Sequence, residues 1–317
     1  MLNKGNLVIG NGTIDTTACD KTTETENVEE TGKVKLYGIF DNFGTLEITS
    51  GKFISKDIDI SKYEVKLEQI RTIINRSGAV LKVKSGDFSG GTGQLDNEGK
   101  AYLYNGKFDN NACAECTQNY EYCISNRSQI NKDAKPELYI YDGEFYGVHG
   151  VIASGVGYTE IRGGNFTTKE CPINKSHTGY HAIYAAGNDG ETGCKIYGGK
   201  FYSVMGYAAY IGNNIKGDGG KRAKASVEIY GGDFSGKHNV LLVDKGTPDR
   251  VVGVLTVSGG RFYKVSEGGV ETKFTVANDY IEKDSEKNPM YTQDENGNII
   301  PISKTDIDKE ELDKSEE

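Results

Sequence analysis

The sequence predicts an all-β fold, a right-handed parallel β-helix, on three observations. An eight-residue pattern, apolar-x-apolar-x-Gly/Ser/Asn/Asp-Gly-x-Phe, occurs nine times between Leu7 and Phe262. Its second turn residue is Gly in all nine copies (12, 51, 86, 106, 143, 164, 199, 232 and 260), and its last residue is Phe in eight, with Ile14 in the first. Successive Phe positions are separated by 35, 20, 37, 21, 35, 33 and 28 residues, so a shortest rung of about 20 residues carries insertions of variable length. One such unit cannot bury its apolar face alone, whereas stacked units can, which is the logic of a solenoid. About nine coils are expected over residues 1–262, then a C-terminal cap at 263–302 and a charged tail at 303–317.

VEIYGGDF (227–234) shows how each copy works. Alternation places Val227 and Ile229 on one face of a strand and Glu228 and Tyr230 on the other. The invariant Gly marks backbone at positive φ or in close approach to another segment. The residue before it is always a turn former. The regular Phe then reads as one rung of an internal ladder.

A second strand precedes the motif in most coils: YGIFDNFG (37–44), RTIINRSG (71–78), EYCISNRS (121–128), HGVIASG (149–155), HAIYAAGN (181–188), YAAYIGNN (207–214) and HNVLLVDKG (238–246). Most end in Asp41, Asn75, Asn126, Asn188, Asn213 or Asp244, and stacked Asx side chains at one turn can bond the backbone above and below. These are read as a structural ladder, not as catalytic acids.

Between the copies, TTACDKTTETENVEETGK (16–33) is polar and acidic and reads as a surface loop or a partly disordered stretch. The segment 54–72 is expected to hold a short helix or an extra edge strand. The widest insertion, 109–137, carries Cys113, Cys116 and Cys123. Zinc would need a second ligand pair, which is missing, so a disulfide is the expectation and free thiols the alternative. Cys194 stands at an inward strand position and reads as a small buried hydrophobe, while Cys171 lies in a loop within reach of a neighbour. After Phe262 the period stops; Asn296-Gly297 is a turn between MYTQ and IIPI, placed to cover the last coil. SKTDIDKEELDKSEE (303–317) is nearly all polar.

Composition excludes some function classes. A formal net charge of −9 gives no basic face for nucleic acid; only KGDGGKRAK (216–224) is locally basic. No apolar run approaches the roughly 18 residues that cross a bilayer. The N-terminus lacks a signal-peptide pattern, so an exported chain is expected to have lost its leader. No motif asks for a cofactor or a metal.

Two columns of side chains carry the functional question. His149, Met205 and His238 each fall four residues after a repeat Phe, with His177 and His181 nearby; Met205 in the same column favours packing over metal binding. The outward column after the inner Ile reads Thr49, Lys84, Tyr104, Tyr141, Arg162, Tyr197, Tyr230, Ser258, with Tyr102 and Tyr139 at the other outward position. Rungs about 4.8 Å apart would stack Tyr104 on Tyr141 and Tyr197 on Tyr230, with Arg162 between the pairs. Tyr104, Tyr141, Arg162, Tyr197 and Tyr230 are the candidate binding residues. Strand packing is the competing reading of the same rings. Successive rungs offer no carboxylate pair, Glu160 with Arg162 being the nearest approach to a catalytic site.

The coil resembles right-handed parallel β-helices of the pectin-lyase-like class. Segments such as GIFDNFGTLEITSGKF (38–53) and VEIYGGDFSG (227–236) are similar to the Gly-Gly-x-Phe repeats of bacterial cell-surface proteins. That resemblance implies an exported surface protein acting in adhesion or in binding carbohydrate or a host surface. A polysaccharide lyase or glycoside hydrolase, and a phage tail-spike-like receptor-binding protein, are the alternatives it leaves open.

Overall fold

The computed structural model describes residues 1–17, 24–26, 35–55, 68–110, 122–127, 133–171, 181–186, 190–216, 224–245 and 250–302. They form a parallel β-helix of nine coils, each contributing one strand to each of three parallel sheets. The motif sheet holds the first half of every repeat, from Asn6–Ile9 through Glu137–Ile140 and Gly157–Ile161 to Arg250–Val257. The phenylalanine sheet holds the second half, from Thr13–Asp15 to Arg261–Val265. The upstream strands make the asparagine sheet, from Leu2–Asn3 to Leu241–Val243, and include Gly93–Asn97, which repeat spacing did not reveal. Registers run without slip through the motif sheet, for example Ile140↔Ile161↔Ile196↔Ile229↔Val257.

The repeat glycine has two reasons to be glycine. All nine copies have φ between 98° and 150°, a region open mainly to residues without a Cβ. From Gly143 upward, an added Cβ would also meet the carbonyl oxygen of the glycine one coil below, at 2.8 Å for Gly143 on Gly106 and 3.0 Å for Gly232 on Gly199. The residue before it follows coil spacing as well. Asn105 and Asp142 accept the next glycine's N–H through their own side chains at 2.7 and 2.8 Å. In the upper coils a Cβ at Gly163, Gly198, Gly231 or Gly259 would stand 2.0–2.7 Å from a carbonyl beneath, so Gly-Gly replaces Asn-Gly and Asp-Gly.

The eight repeat phenylalanines form one interior file, each at most 1% exposed. Neighbouring rings stack with centroids 4.7–5.0 Å apart and planes within 14°. Phe40 meets the lower end edge-on at 5.5 Å. Beside the file run the inward residues of the motif sheet, Leu46 and Ile48 through Cys194 and Ile196 to Leu255 and Val257, all buried.

A ladder of asparagines closes the corner between the asparagine and motif sheets, one residue away from part of the expected column. Asn42, not Asp41, stands in register with Asn75, and Asn3 and Asn97 join them. Each Nδ2 donates to the Oδ1 one coil up, Asn3 to Asn42 to Asn75 to Asn97 to Asn126, at 2.7–2.8 Å. Its second hydrogen goes to a motif-sheet carbonyl, as from Asn97 to Glu137 O at 3.0 Å. At Asn126 the chain passes to hydroxyls, Thr159 Oγ1 and then Ser154 and Thr192. Above, the register position becomes Ala185, Ile211 and Val243, so Asp244 is no rung. Asp41 instead pairs with Arg76 through two contacts of 2.6 and 3.0 Å. The side chains of Asn188 and Asn213 lie outside the described residues.

The C-terminal end is covered. Glu271–Lys273 runs antiparallel on Arg261–Val265, and Asn213–Lys216 on Arg250–Val257, which blocks open edges. The hairpin Tyr291–Gln293 with Ile299–Pro301 turns at Gly297, and Val276, Ile281 and Ile299 close the core. Within the acidic segment 16–33, Glu24–Glu26 pairs antiparallel with Lys35–Asn42, so part of the expected loop is strand. Segment 54–72 divides between Lys52–Ser55 and Glu68–Asn75, and 56–67 lies outside the described residues, as do Cys113, Cys116, His177 and 303–317.

Cys123, Cys171 and Cys194 are buried and in no disulfide, and the expected disulfide of the 109–137 insertion falls on Cys113 and Cys116, outside the described residues. Burial pushes the Cys194 thiol up to about 12, as suits an inert core residue. Cys171 packs with Val148 and Met205.

Candidate functional site

The outward face of the motif sheet is a plate of tyrosines because its strands place residues two apart on the same side and its coils repeat their register. Two columns result. In one, Tyr102 stacks on Tyr139 at 5.1 Å, and Tyr139 also leans at 5.9 Å on Tyr158, which stands in register above Glu137. In the other, Tyr104 stacks on Tyr141 at 4.9 Å and Tyr197 on Tyr230 at 5.0 Å. Arg162 occupies the coil between these pairs, its guanidinium 5.7 Å from the Tyr141 ring centre and 5.8 Å from that of Tyr197. The five residues expected from sequence therefore stand in one uninterrupted line.

Inside the line each ring face is covered by a neighbouring ring or by Arg162, so the line presents ring edges and hydroxyls there. At these separations each ring covers its neighbour's face, so a sugar cannot lie flat on an interior ring of the column. Tyr104, Tyr197 and Tyr230 are nevertheless 39%, 46% and 40% exposed. The hydroxyls of Tyr104, Tyr141 and Tyr197 make no hydrogen bond to another described residue, whereas that of Tyr230 donates to Glu228.

Every carboxylate on the plate is engaged. Glu137 accepts from Tyr139 at 2.7 Å and pairs with Lys100 at 2.8 Å. Glu160 accepts from Tyr158 at 2.8 Å and from Arg162 at 2.7 Å. Glu228 lies 3.6 Å from Lys195. The Lys100 contact, aided by Tyr139, holds Glu137 below the usual carboxylate range. Burial raises Glu160, but the hydrogen bonds from Tyr158 and Arg162 outweigh it and hold it low. Reciprocally, the bond to Glu228 pushes Tyr230 up to about 12, and burial followed by the bond to Glu137 does the same for Tyr139. Ionised glutamates and neutral phenols make a surface of acceptors and donors. Neither Glu137 nor Glu160 has the raised pKa of a general acid.

An open groove of about 540 Å³ runs beside the plate over the corners Gly163-Gly164, Gly198-Gly199 and Gly232. Its rim carries Asp142, Asn165, Lys200, Asp233 and Arg261, one per coil. Sequence reasoning passed over these residues and over Glu137 and Tyr158. For Asn165, Lys200, Asp233 and Arg261 the signal was the variable position between the invariant Gly and Phe, which points outward.

The histidine column does not assemble. His149 is buried, Met205 packs on Val148, and His238 is exposed. His149 and His181 instead join an aromatic cluster with Tyr122 and Tyr210, at ring separations of 5.2 and 5.0 Å. Burial pushes His149 down to about 4 and His181 to about 3, the second also through His149, so both are neutral packing groups. His181 Nδ1 accepts the Tyr207 N–H at 3.3 Å. Among the described residues no group of three or more His, Cys, Asp or Glu is placed to hold a metal ion. No helix among them is long and apolar enough to cross a membrane. No known protein family, curated protein or solved structure matches this chain.

Proposed function

We propose that this protein is an exported bacterial β-helix that acts as a binding or adhesion module for carbohydrate on a cell or host surface. The observation that carries the proposal is the line Tyr104, Tyr141, Arg162, Tyr197, Tyr230, standing on a sheet whose registers are fixed across five coils. A rigid row loses little conformational freedom on contact, so weak hydrogen bonds repeated along it sum to useful retention. Similarity of the Gly-Gly-x-Phe repeats to those of surface proteins supports export. Ionised carboxylates already tied to Lys, Arg and Tyr suit holding a polyol better than cleaving it.

Affinity electrophoresis through gels containing soluble polysaccharides tests the reading. The parent is expected to be retarded by at least one of them, and Tyr141→Ser/Tyr197→Ser to migrate as in an empty gel. Retention of the double variant equal to that of the parent, with its thermal transition intact, would move the site off this column.

A further inference from the structure

The tyrosine plate carries a statement about the charge of its ligand. Among the described residues, the cations set between the tyrosines are Lys100, Arg162 and Lys195, and each has a carboxylate of the same plate as partner: Glu137 at 2.8 Å, Glu160 at 2.7 Å and Glu228 at 3.6 Å. Lys224, at the exposed start of the Tyr230 strand, makes no ion pair among them. One coil below the tyrosines Lys84 pairs with Glu47 at 2.6 Å, while Lys82, in register with Tyr102, makes no ion pair among the described residues. Arg162 is engaged further, because the rings of Tyr141 and Tyr197 flank its guanidinium. The groove rim repeats the balance, with Asp142 and Asp233 against Lys200 and Arg261, and Arg261 held by Glu271 at 2.6 Å.

From this pairing we infer that the face selects a neutral polysaccharide and rejects polyuronates and sulfated chains; the inference rests on the carbohydrate reading above. In the coils from Tyr104 to Tyr197 an acidic sugar would have to draw Lys100, Arg162 or Lys195 away from an existing partner, and its own carboxylate would then face that displaced glutamate. Like charges brought together at an interface oppose binding, and specificity is built as much from such repulsion as from attraction. A neutral sugar meets no such obstacle. Its hydroxyls donate to the open lone pairs of Glu137, Glu160 and Glu228 and accept from the free phenols of Tyr104, Tyr141 and Tyr197. Free phenols stand in the coils of Tyr104, Tyr141 and Tyr197 and carboxylates in those of Glu137, Glu160 and Glu228, with stacked rings about 5 Å apart, so an extended chain lying along the helix axis meets a donor or an acceptor at each of five coils.

The test compares the intact chain on neutral gels (xylan, mixed-linkage β-glucan, galactomannan) and on polygalacturonate and heparin, at low and high salt. Retention by a neutral polymer is expected, changing less than about threefold between roughly 50 and 500 mM salt, because no net charge is exchanged. Polygalacturonate and heparin are expected to give none. Glu160→Gln/Glu228→Gln frees Arg162 and Lys195 and is expected to gain salt-sensitive retention on polygalacturonate. Preferential, salt-sensitive retention of the parent on polygalacturonate or heparin would overturn the inference while leaving the carbohydrate reading intact. Retention on neither class would overturn both.

Discussion

Each repeat phenylalanine from Phe88 to Phe234 lies between two others at stacking distance, so its ring is wall and floor to its neighbours at once. Phe166→Ala removes a fully buried side chain and two ring contacts, and no neighbour can rotate into the gap without leaving its own stack. The expected loss is about 3–5 kcal/mol of unfolding free energy, read from the urea midpoint, as for other phenylalanine truncations that leave a cavity. A loss under about 1 kcal/mol would mean that the file relaxes and is not the spine of the core. These residues were legible in the sequence because a period-two strand, a positive-φ glycine and a constant aromatic recur together. The tyrosines were equally legible as positions. What was not legible was that their faces would be spent on one another, since that depends on ring rotation and not on spacing.

Among elements, the corner ladder divides the helix into two kinds of coil. Below Asn126 the corner is held by amide hydrogen bonds running along the axis, and above Thr192 by apolar packing at Ala185, Ile211 and Val243. The two halves should answer substitution differently. Asn97→Ala removes the acceptor of one Asn75 Nδ2 hydrogen, the other staying on Lys100 O, and takes the Asn97 donor from the buried Asn126 Oδ1 and from the part-buried Glu137 carbonyl. At about 1–3 kcal/mol for each unsatisfied group, a total on the order of 2–5 kcal/mol is expected after partial relaxation. Ile211→Val at the equivalent rung should cost only about 0.5–1.5 kcal/mol. Equal costs in denaturant titrations of the two variants would show that the ladder adds nothing beyond packing. Sequence reasoning found Asn75 and Asn126 but took Asp41 for Asn42. The Asp-Asn dipeptide offers both, and only register with the coil below decides which side chain points inward. Asn97 escaped because its strand, Gly93–Asn97, lies in a coil with almost no insertion and is rich in Gly and polar residues.

As a whole, the molecule is a stack of nine coils with one aromatic plate of paired charges on its motif sheet, a groove beside it, and a covered C-terminal end. The architecture follows from the repeat, and the plate follows from the architecture once register is fixed. Its balance of charge was not visible in composition, because a net charge of −9 for the chain says nothing about pairing on one face. Rigidity matters to the function: the hydroxyls of Tyr104, Tyr141 and Tyr197 are held at coil spacing before any ligand arrives, while the ring faces are already used. Binding should therefore depend on the oxygens and not on the rings, and removing only the oxygens separates the two. The measurement is quantitative affinity electrophoresis of the parent and of Tyr141→Phe/Tyr197→Phe on xylan, mixed-linkage β-glucan and galactomannan, alongside their thermal transitions. Two lost hydrogen bonds of about 0.5–1.5 kcal/mol each predict retention weaker by on the order of tenfold, at an unchanged transition temperature. Undiminished retention of the phenylalanine pair, or retention of neither protein, would contradict the account.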